Sequence, residues 1–317
     1  MGEHFLQWIN IIDFKCFHEF EVKDFHRINL IGGKNNIGKT AFLEASLIHL
    51  NAKDNPSFLA SVFWIKFARE NINVLGKPVN DYKIFYESIK YYKTQSNIKT
   101  IEFKLIDADG IKEYCFKLDD DEKKINSNDF SFTTNYPVSI HYIDNFGLSD
   151  NELIKFYSSI QANDHESKLN DLIRNFDSNI DSFKVIGDKP QCKFQGEYID
   201  ITEFGDGLKH YISIICALYA SENGQLFIDE IDNGIHYTQL KNIWKLIFEI
   251  SKEVNCQVFA TTHSKECIEA FNEVNSENDG AYFEFYRNKK KNTISVMKRD
   301  HEQLSYSLTH GGEVRGE

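Results

Sequence analysis

Eight consecutive residues constrain this chain more than any others: Gly33-Lys34-Asn35-Asn36-Ile37-Gly38-Lys39-Thr40. They fit the phosphate-loop pattern G-x-x-x-x-G-K-[ST]. Ile28-Asn29-Leu30-Ile31 before them has the composition of a buried strand, and the run from Ala41 to Ile48 after them reads as a helix. Glycines let backbone amides approach a phosphate closely. The free amides and dipole of a helix start favour an anion. In such a loop Lys39 pairs with the β- and γ-phosphates and the Thr40 hydroxyl ligates Mg²⁺.

A second segment supplies acid. Leu226-Phe227-Ile228 is short and apolar, bounded by Gly224, and ends in Asp229-Glu230. A strand there carries both carboxylates to its carboxyl edge, where ligands bind in open α/β sheets. Asp229 then serves Mg²⁺ and Glu230 polarises the attacking water. An Asp-Glu pair after apolar residues also fits a solvated strand end. Gln257-Val258-Phe259-Ala260-Thr261-Thr262 reads as another buried strand, delivering His263 to the same edge. His263 suits either a γ-phosphate contact or a surface cap. Gly205-Asp206-Gly207 precedes a helical run from Leu208 to Ala220. It fits a second anion-binding helix start or a plain N-cap by Asp206.

This order resembles the ABC-class ATPases of the SMC, RecF and OLD kind, often labelled AAA-type ATP-binding proteins. The resemblance rests on G-x-N-N-x-G-K-T, on Ile228-Asp229-Glu230-Ile231-Asp232-Asn233-Gly234-Ile235-His236-Tyr237 as Walker B and D-loop, and on Gln257 to Glu266 as H-loop. Trp8 to Phe17 looks like the family's first strand, whose basic residue often approaches the nucleotide. Gly312-Glu313-Val314-Arg315 looks like the end of short members.

The resemblance implies an α/β P-loop NTPase fold, an ABC-ATPase head with an antiparallel β lobe and a helical lobe. One head spans 1–317, with a phosphate-loop subdomain over 1–50 and a helical segment and β lobe over 51–150. A helical lobe over 151–200 and a signature, Walker B and H-loop core over 201–317 complete it. It also implies nucleotide binding by Gly33, Lys34, Asn35, Asn36, Ile37, Gly38, Lys39 and Thr40, and by Gly205, Asp206 and Gly207 as the signature loop. Thr40 and Asp229 support Mg²⁺, Glu230 is the catalytic carboxylate and His263 the switch histidine. Two ATPs are sandwiched between two heads, so a homodimer or higher homo-oligomer is implied. Two positions depart from the pattern. Gly205 stands where a signature serine is usual, with Lys209 or His210 near the basic position. His236 stands where transporters carry an aspartate. Gln161 is the candidate for a Q-loop glutamine.

Periodicity organises the rest. Residues 51–80 read as helix and loop, with Phe58 to Trp64 apolar. Lys83 to Ile89, Thr100 to Leu105 and Glu113 to Leu118 alternate like antiparallel strands, with a turn at Asp107-Ala108-Asp109-Gly110. Residues 151 to about 185 read as helical. No heptad run predicts an SMC-type arm, and too few residues follow for a TOPRIM domain. Tyr282 to Tyr286 and Thr293 to Val296 read as a hairpin whose tip, Arg287 to Asn292, is basic. That tip fits a solvated turn or a docking point for nucleic acid or an acidic partner.

The net charge of −12 argues against broad non-specific nucleic-acid binding. No apolar stretch spans a bilayer, so no membrane partner is expected. The six scattered cysteines contain no C-x-x-C pair and suit buried thiols in the cytoplasm. The leading expectation is an ATP-hydrolysing, dimerising head that switches a separately encoded effector. By analogy with short armless heads such as those of PARIS-like and Septu-like systems, the effector is a nuclease and the role anti-phage defence. The alternative is a RecF-like repair ATPase that binds DNA as the closed dimer. A self-contained nuclease would need another carboxylate cluster, for which only Asp119-Asp120-Asp121-Glu122 offers itself.

Overall fold

The computed structural model describes residues 4–51, 100–107, 110–117, 139–145, 147–275, 279–288, 290, 292–312 and 314. The expectations for Phe58 to Trp64, Lys83 to Ile89, the acidic run at Asp119 and the tip residues Lys289 and Lys291 lie outside these. So do Glu313 and Arg315 of the expected end and the centre of the turn at Ala108-Asp109. The chain divides into two compact units. One comprises Met1–Phe5, Asp24–Thr40 and Val138–Glu317; the other comprises Leu6–Lys23 and Ala41–Pro137.

The first unit is built on a six-stranded sheet. Its strands are β3 (Ile28–Gly33), β6 (Ile140–Ile143), β10 (Gln225–Ile228), β11 (Gln257–Thr262), β12 (Gly280–Asn288) and β13 (Thr293–Arg299), in the order β13-β12-β3-β11-β10-β6. Every neighbouring pair is parallel except β12 with β13. Residues of β3, β10 and β11 are buried throughout, as expected of strands covered on both faces. Register then does the positioning. Ile228 lies beside Ala260, Ala260 beside Leu30 and Thr262 beside Gly32. The carboxyl ends of these strands therefore deliver Gly33, Asp229 and His263 to one edge. Asn29, wholly buried at the start of β3, is satisfied by donating to the His26 and Val258 carbonyls at 2.8 and 3.2 Å and accepting from the His26 amide at 2.8 Å.

Helices α2 (Asp150–Ala162), α3 (Glu166–Phe176), α4 (Asp206–Ala220), α5 (Leu240–Glu253), α6 (Lys265–Val274) and α7 (His301–Thr309) belong to this unit, and α1 (Lys39–Asn51) begins in it. The capping box Ser149–Glu152 starts α2. Buried residues surround α4 on all sides, the pattern of a core helix, and it packs against α2, α3 and α5. Trp244 of α5 is buried and donates its indole N–H to the Cys267 carbonyl of α6 at 3.1 Å.

Two expectations are corrected. Helix does not continue to 185. β7 (Ile180–Ile186), β8 (Lys189–Phe194) and β9 (Glu197–Asp200) form a three-stranded antiparallel sheet, so 151–200 is part helix and part sheet. Ile180 and Phe183 are three apart and both buried, which mimics a helical stripe. The residues joining β7 to β8, at 187 and 188, both have positive φ, the geometry of a primed hairpin turn. Secondly, β6 falls in the stretch read as antiparallel sheet, yet pairs parallel with β10.

The second unit contains β1 (Trp8–Phe14), β2 (Phe17–Lys23), β4 (Thr100–Asp107) and β5 (Gly110–Lys117), in the antiparallel order β2-β1-β4-β5. The alternation read from the sequence at Thr100 and Glu113 thus ends in strands. Ile9, Ile11, Phe17, Phe20 and Val22 are buried, and the Phe17 and Phe20 rings stack with centroids 4.4 Å apart. Lys15, in the turn between β1 and β2, pairs with buried Glu44 of α1. Among the described residues no helix is long and apolar enough to cross a membrane. Cys192, Cys216, Cys256 and Cys267 are buried free thiols and Cys16 is exposed. Burial pushes the Cys192 thiol up to about 12.

Candidate active site

The loop between β3 and α1 closes around its own lysine. Gly33 has a φ of +153°, and a Cβ there would lie 2.7 Å from the Phe285 carbonyl of β12, so glycine is required. Ile37 is buried and pins the loop, while Lys34, Asn35 and Asn36 are exposed. Asn36 and Gly38 both have positive φ, which bends the backbone into α1. The Lys39 ammonium is buried and donates to the Gly33 carbonyl at 2.9 Å and the Lys34 carbonyl at 3.0 Å. Burial lowers its pKa, against the opposing pull of Asp229, Glu230 and Asp232. The Lys39 ammonium thus lies in the field of three carboxylates, next to a loop exposed at Lys34, Asn35 and Asn36.

Asp229 follows β10 and is 6% exposed. Its Oδ2 accepts from the Thr40 hydroxyl at 2.8 Å and lies 3.5 Å from the Tyr142 hydroxyl; its Oδ1 accepts from Thr261 at 2.5 Å. The 2.8 Å separation of the Thr40 and Asp229 oxygens tests the fit of a cation. Two adjacent ligands of an octahedral Mg²⁺, each at about 2.0–2.1 Å, stand about 2.9 Å apart. The pair fits that edge.

Glu230 adopts a φ of +51°, uncommon for a residue with a side chain. Three hydrogen bonds hold it there. Its amide donates to the Thr261 hydroxyl at 2.9 Å, its carbonyl accepts from the Asn233 amide at 2.8 Å, and the next amide, of Ile231, donates to the Thr261 carbonyl at 3.0 Å. The Glu230 side chain is 34% exposed and that of His263 is 49% exposed, with 3.8 Å between Oε1 and Nδ1. Asp232 accepts from the Thr262 hydroxyl at 2.6 Å. Ser264 then caps α6 by accepting from the Cys267 amide at 3.1 Å.

Gly205 is the N-cap residue of α4, with no side-chain cap, and Asp206 is the first residue of the helix. The alternative in which Asp206 itself caps the helix is therefore not what forms. Gly205 and Asp206 are exposed. A Cβ on Gly207 would lie 2.3 Å from the Gly234 carbonyl, so the start of α4 sits directly on the turn that follows the carboxylates. Lys209 pairs with Asp150 at 2.7 Å, and His210 is buried with Nε2 3.2 Å from the Ile231 carbonyl. His236 is exposed and bonds Thr238 at 2.9 Å. Gln161 is exposed near the end of α2, whereas the chain leaving β6 beside Asp229 passes through Asp144 and Asn145.

Loop, carboxylates and histidine meet at the carboxyl edge of a mostly parallel sheet, the architecture of a P-loop ATPase. Residues 83–268 match the sequence model of the AAA ATPase domain, and the chain belongs to that family. The matched residues do not include Gly33–Thr40, so loop and family are separate lines of support. An ATP/GTP phosphatase of Helicobacter pylori (strain ATCC 700392 / 26695) is 27% identical over 339 residues, covering 87% of this chain and 90% of that protein. The fold matches an Smc head bound to the C-winged helix domain of ScpA at a TM-score of 0.53 and 12% identity, over 94% of this chain and 99% of the other. It also matches an Smc head with an extended coiled coil, bound to the C-terminal domain of ScpA derived from Pyrococcus furiosus. That TM-score is 0.50 at 11% identity, over 96% and 99% of the two chains. The chain is an ATP-hydrolysing enzyme.

Sequence reasoning missed the parts played by Tyr142 and Thr261. Thr261 carried a readable signal, a hydroxyl within a wholly buried strand that leads into His263. Tyr142 carried none, because its role depends on pairing of β6 with β10; His210, a candidate for the basic position, is instead buried against the Ile231 carbonyl.

Proposed function

We propose that the chain binds ATP with Mg²⁺ at Gly33–Thr40, and that two copies close around two ATPs to switch a separately encoded effector. Lys39 takes the β- and γ-phosphates, exchanging two loop carbonyls for phosphate oxygens. Thr40 and Asp229 hold the metal, which neutralises charge on the phosphates. Glu230 orients and polarises the attacking water, and His263 stands beside it for the γ-phosphate. The chain's similarity to an ATP/GTP phosphatase of Helicobacter pylori also makes GTP worth assaying.

The partial exposure of Glu230 and His263 supports the dimer most directly. A hydrolytic carboxylate works best where bulk water is excluded. The start of α4, exposed at Gly205 and Asp206, offers helix-start amides to cover the equivalent site of a second copy. Such a composite site is a switch, because binding favours the closed pair and hydrolysis releases it. An Smc head bound to another protein's winged-helix domain is a precedent for a head of this fold serving a partner. The role in anti-phage defence with a nuclease effector, in the cytoplasm, rests on analogy with short heads alone.

The deciding experiment is light scattering of the Glu230→Gln variant. With saturating ATP and Mg²⁺ it accumulates as a dimer and hydrolyses about 10²–10⁴-fold more slowly than wild type, the usual share of a general base. A variant that stays monomeric when saturated with ATP would overturn the sandwich.

A further inference from the structure

We infer that Thr261 is a positioning residue whose single hydroxyl sets both carboxylates of the site. This rests on the roles proposed above for Asp229 and Glu230. The side chain is wholly buried. Its oxygen accepts the Glu230 amide proton at 2.9 Å, and its own proton goes to Asp229 Oδ1 at 2.5 Å. Those two bonds fix the direction of the hydroxyl. With the lone pair committed to Glu230, the proton points at Asp229, and each bond polarises the other.

The backbone of the same residue repeats the grip, since its carbonyl accepts from Ile231 at 3.0 Å. Glu230 is thus held in a left-handed conformation from β11, the strand that leads into His263. The hydroxyl also leaves Oδ2 of Asp229 to Thr40 and Tyr142 by occupying Oδ1. One atom therefore selects which carboxylate oxygen faces the metal position and where the neighbouring glutamate begins. Valine matches threonine in shape but strands the Glu230 amide and frees the Asp229 carboxylate to rotate.

The test is steady-state hydrolysis by wild type, Thr261→Ser, Thr261→Val and Glu230→Gln at saturating Mg²⁺. Thr261→Val is expected to lose about tenfold or more in kcat while its KM for ATP stays within about threefold, the pattern of a lost transition-state interaction. Thr261→Ser, which keeps the hydroxyl, is expected to stay within about threefold of wild type in both parameters. If Thr261→Val does not fold, Thr261→Cys takes its place, because a thiol fills the site with a weak donor. A Val or Cys variant that turns over like wild type while Glu230→Gln is inactive overturns the role of Thr261 alone. A Ser variant as slow as the Val variant overturns it too, because packing rather than the hydroxyl would then be at work. If Glu230→Gln itself hydrolyses at the wild-type rate, the assignment of Glu230 falls instead.

Discussion

The Thr40 hydroxyl and the Asp229 carboxylate, 189 residues apart in sequence, lie 2.8 Å from each other. One belongs to the first turn of α1 and the other directly follows β10. Parallel pairing of β3 with β11 and of β11 with β10 brings them together. That edge has the span of adjacent ligands on an octahedral cation.

The metal requirement should therefore respond to either residue. Asp229→Asn is expected to raise the Mg²⁺ concentration for half-maximal hydrolysis by about 10–100-fold, the range for disturbed metal sites. Thr40→Val is expected to act in the same direction and Thr40→Ser to remain near wild type. EDTA should stop turnover, and excess Mg²⁺ should restore it. Magnesium titrations of the four proteins check this, and an unchanged midpoint in Asp229→Asn would remove the metal assignment.

Lys39→Ala removes a charge-assisted contact, an interaction worth about 1.5–3 kcal/mol. ATP binding should weaken by roughly ten- to 150-fold by calorimetry. Lys39 also ties the loop together through the Gly33 and Lys34 carbonyls, so circular dichroism and melting of the variant should be recorded beside the binding. Unchanged affinity with an intact fold would contradict a phosphate role for the loop.

His210 gives the fold a pH dependence with a definite sign. Burial lowers its pKa below the ordinary histidine value of about 6.5. The folded protein therefore keeps the imidazole neutral in a window where the unfolded chain has already bound a proton. Stability from this group is complete above about 6.5 and falls as pH drops below it, by at most about 1.4 kcal/mol per pH unit. Melting at pH 7.5 and 5.5 should show a larger acid loss in wild type than in His210→Gln. Equal losses would assign the acid sensitivity elsewhere.

Most of the site could be read from the chain, because its chemistry sits in short contiguous motifs. Gly33–Thr40, Asp229-Glu230 and His263 each follow an apolar strand, and each strand ends where its composition changes. What could not be read depends on pairing between distant segments. Tyr142 reaches Asp229 only because β6 joins the edge of the parallel sheet. The β7–β9 sheet escaped because Ile180 and Phe183 share a spacing with one face of a helix. Lys209 and His210 illustrate the same limit. Adjacent in sequence, one forms a partly exposed ion pair with Asp150 and the other is sealed against Ile231.

The phosphate loop, both acidic residues, the histidine and the Gly205–Gly207 helix start all fall within the unit formed by Met1–Phe5, Asp24–Thr40 and Val138–Glu317. The candidate site residues and residues 41–137 are thus drawn from separable stretches of gene. Selection can rewrite the interior stretch, lengthening it or changing its composition, without editing a codon for any of these residues. Relatives are therefore best superposed on β3, β10 and β11, the strands that lead into the loop, both acidic residues and the histidine, before their 41–137 stretches are compared.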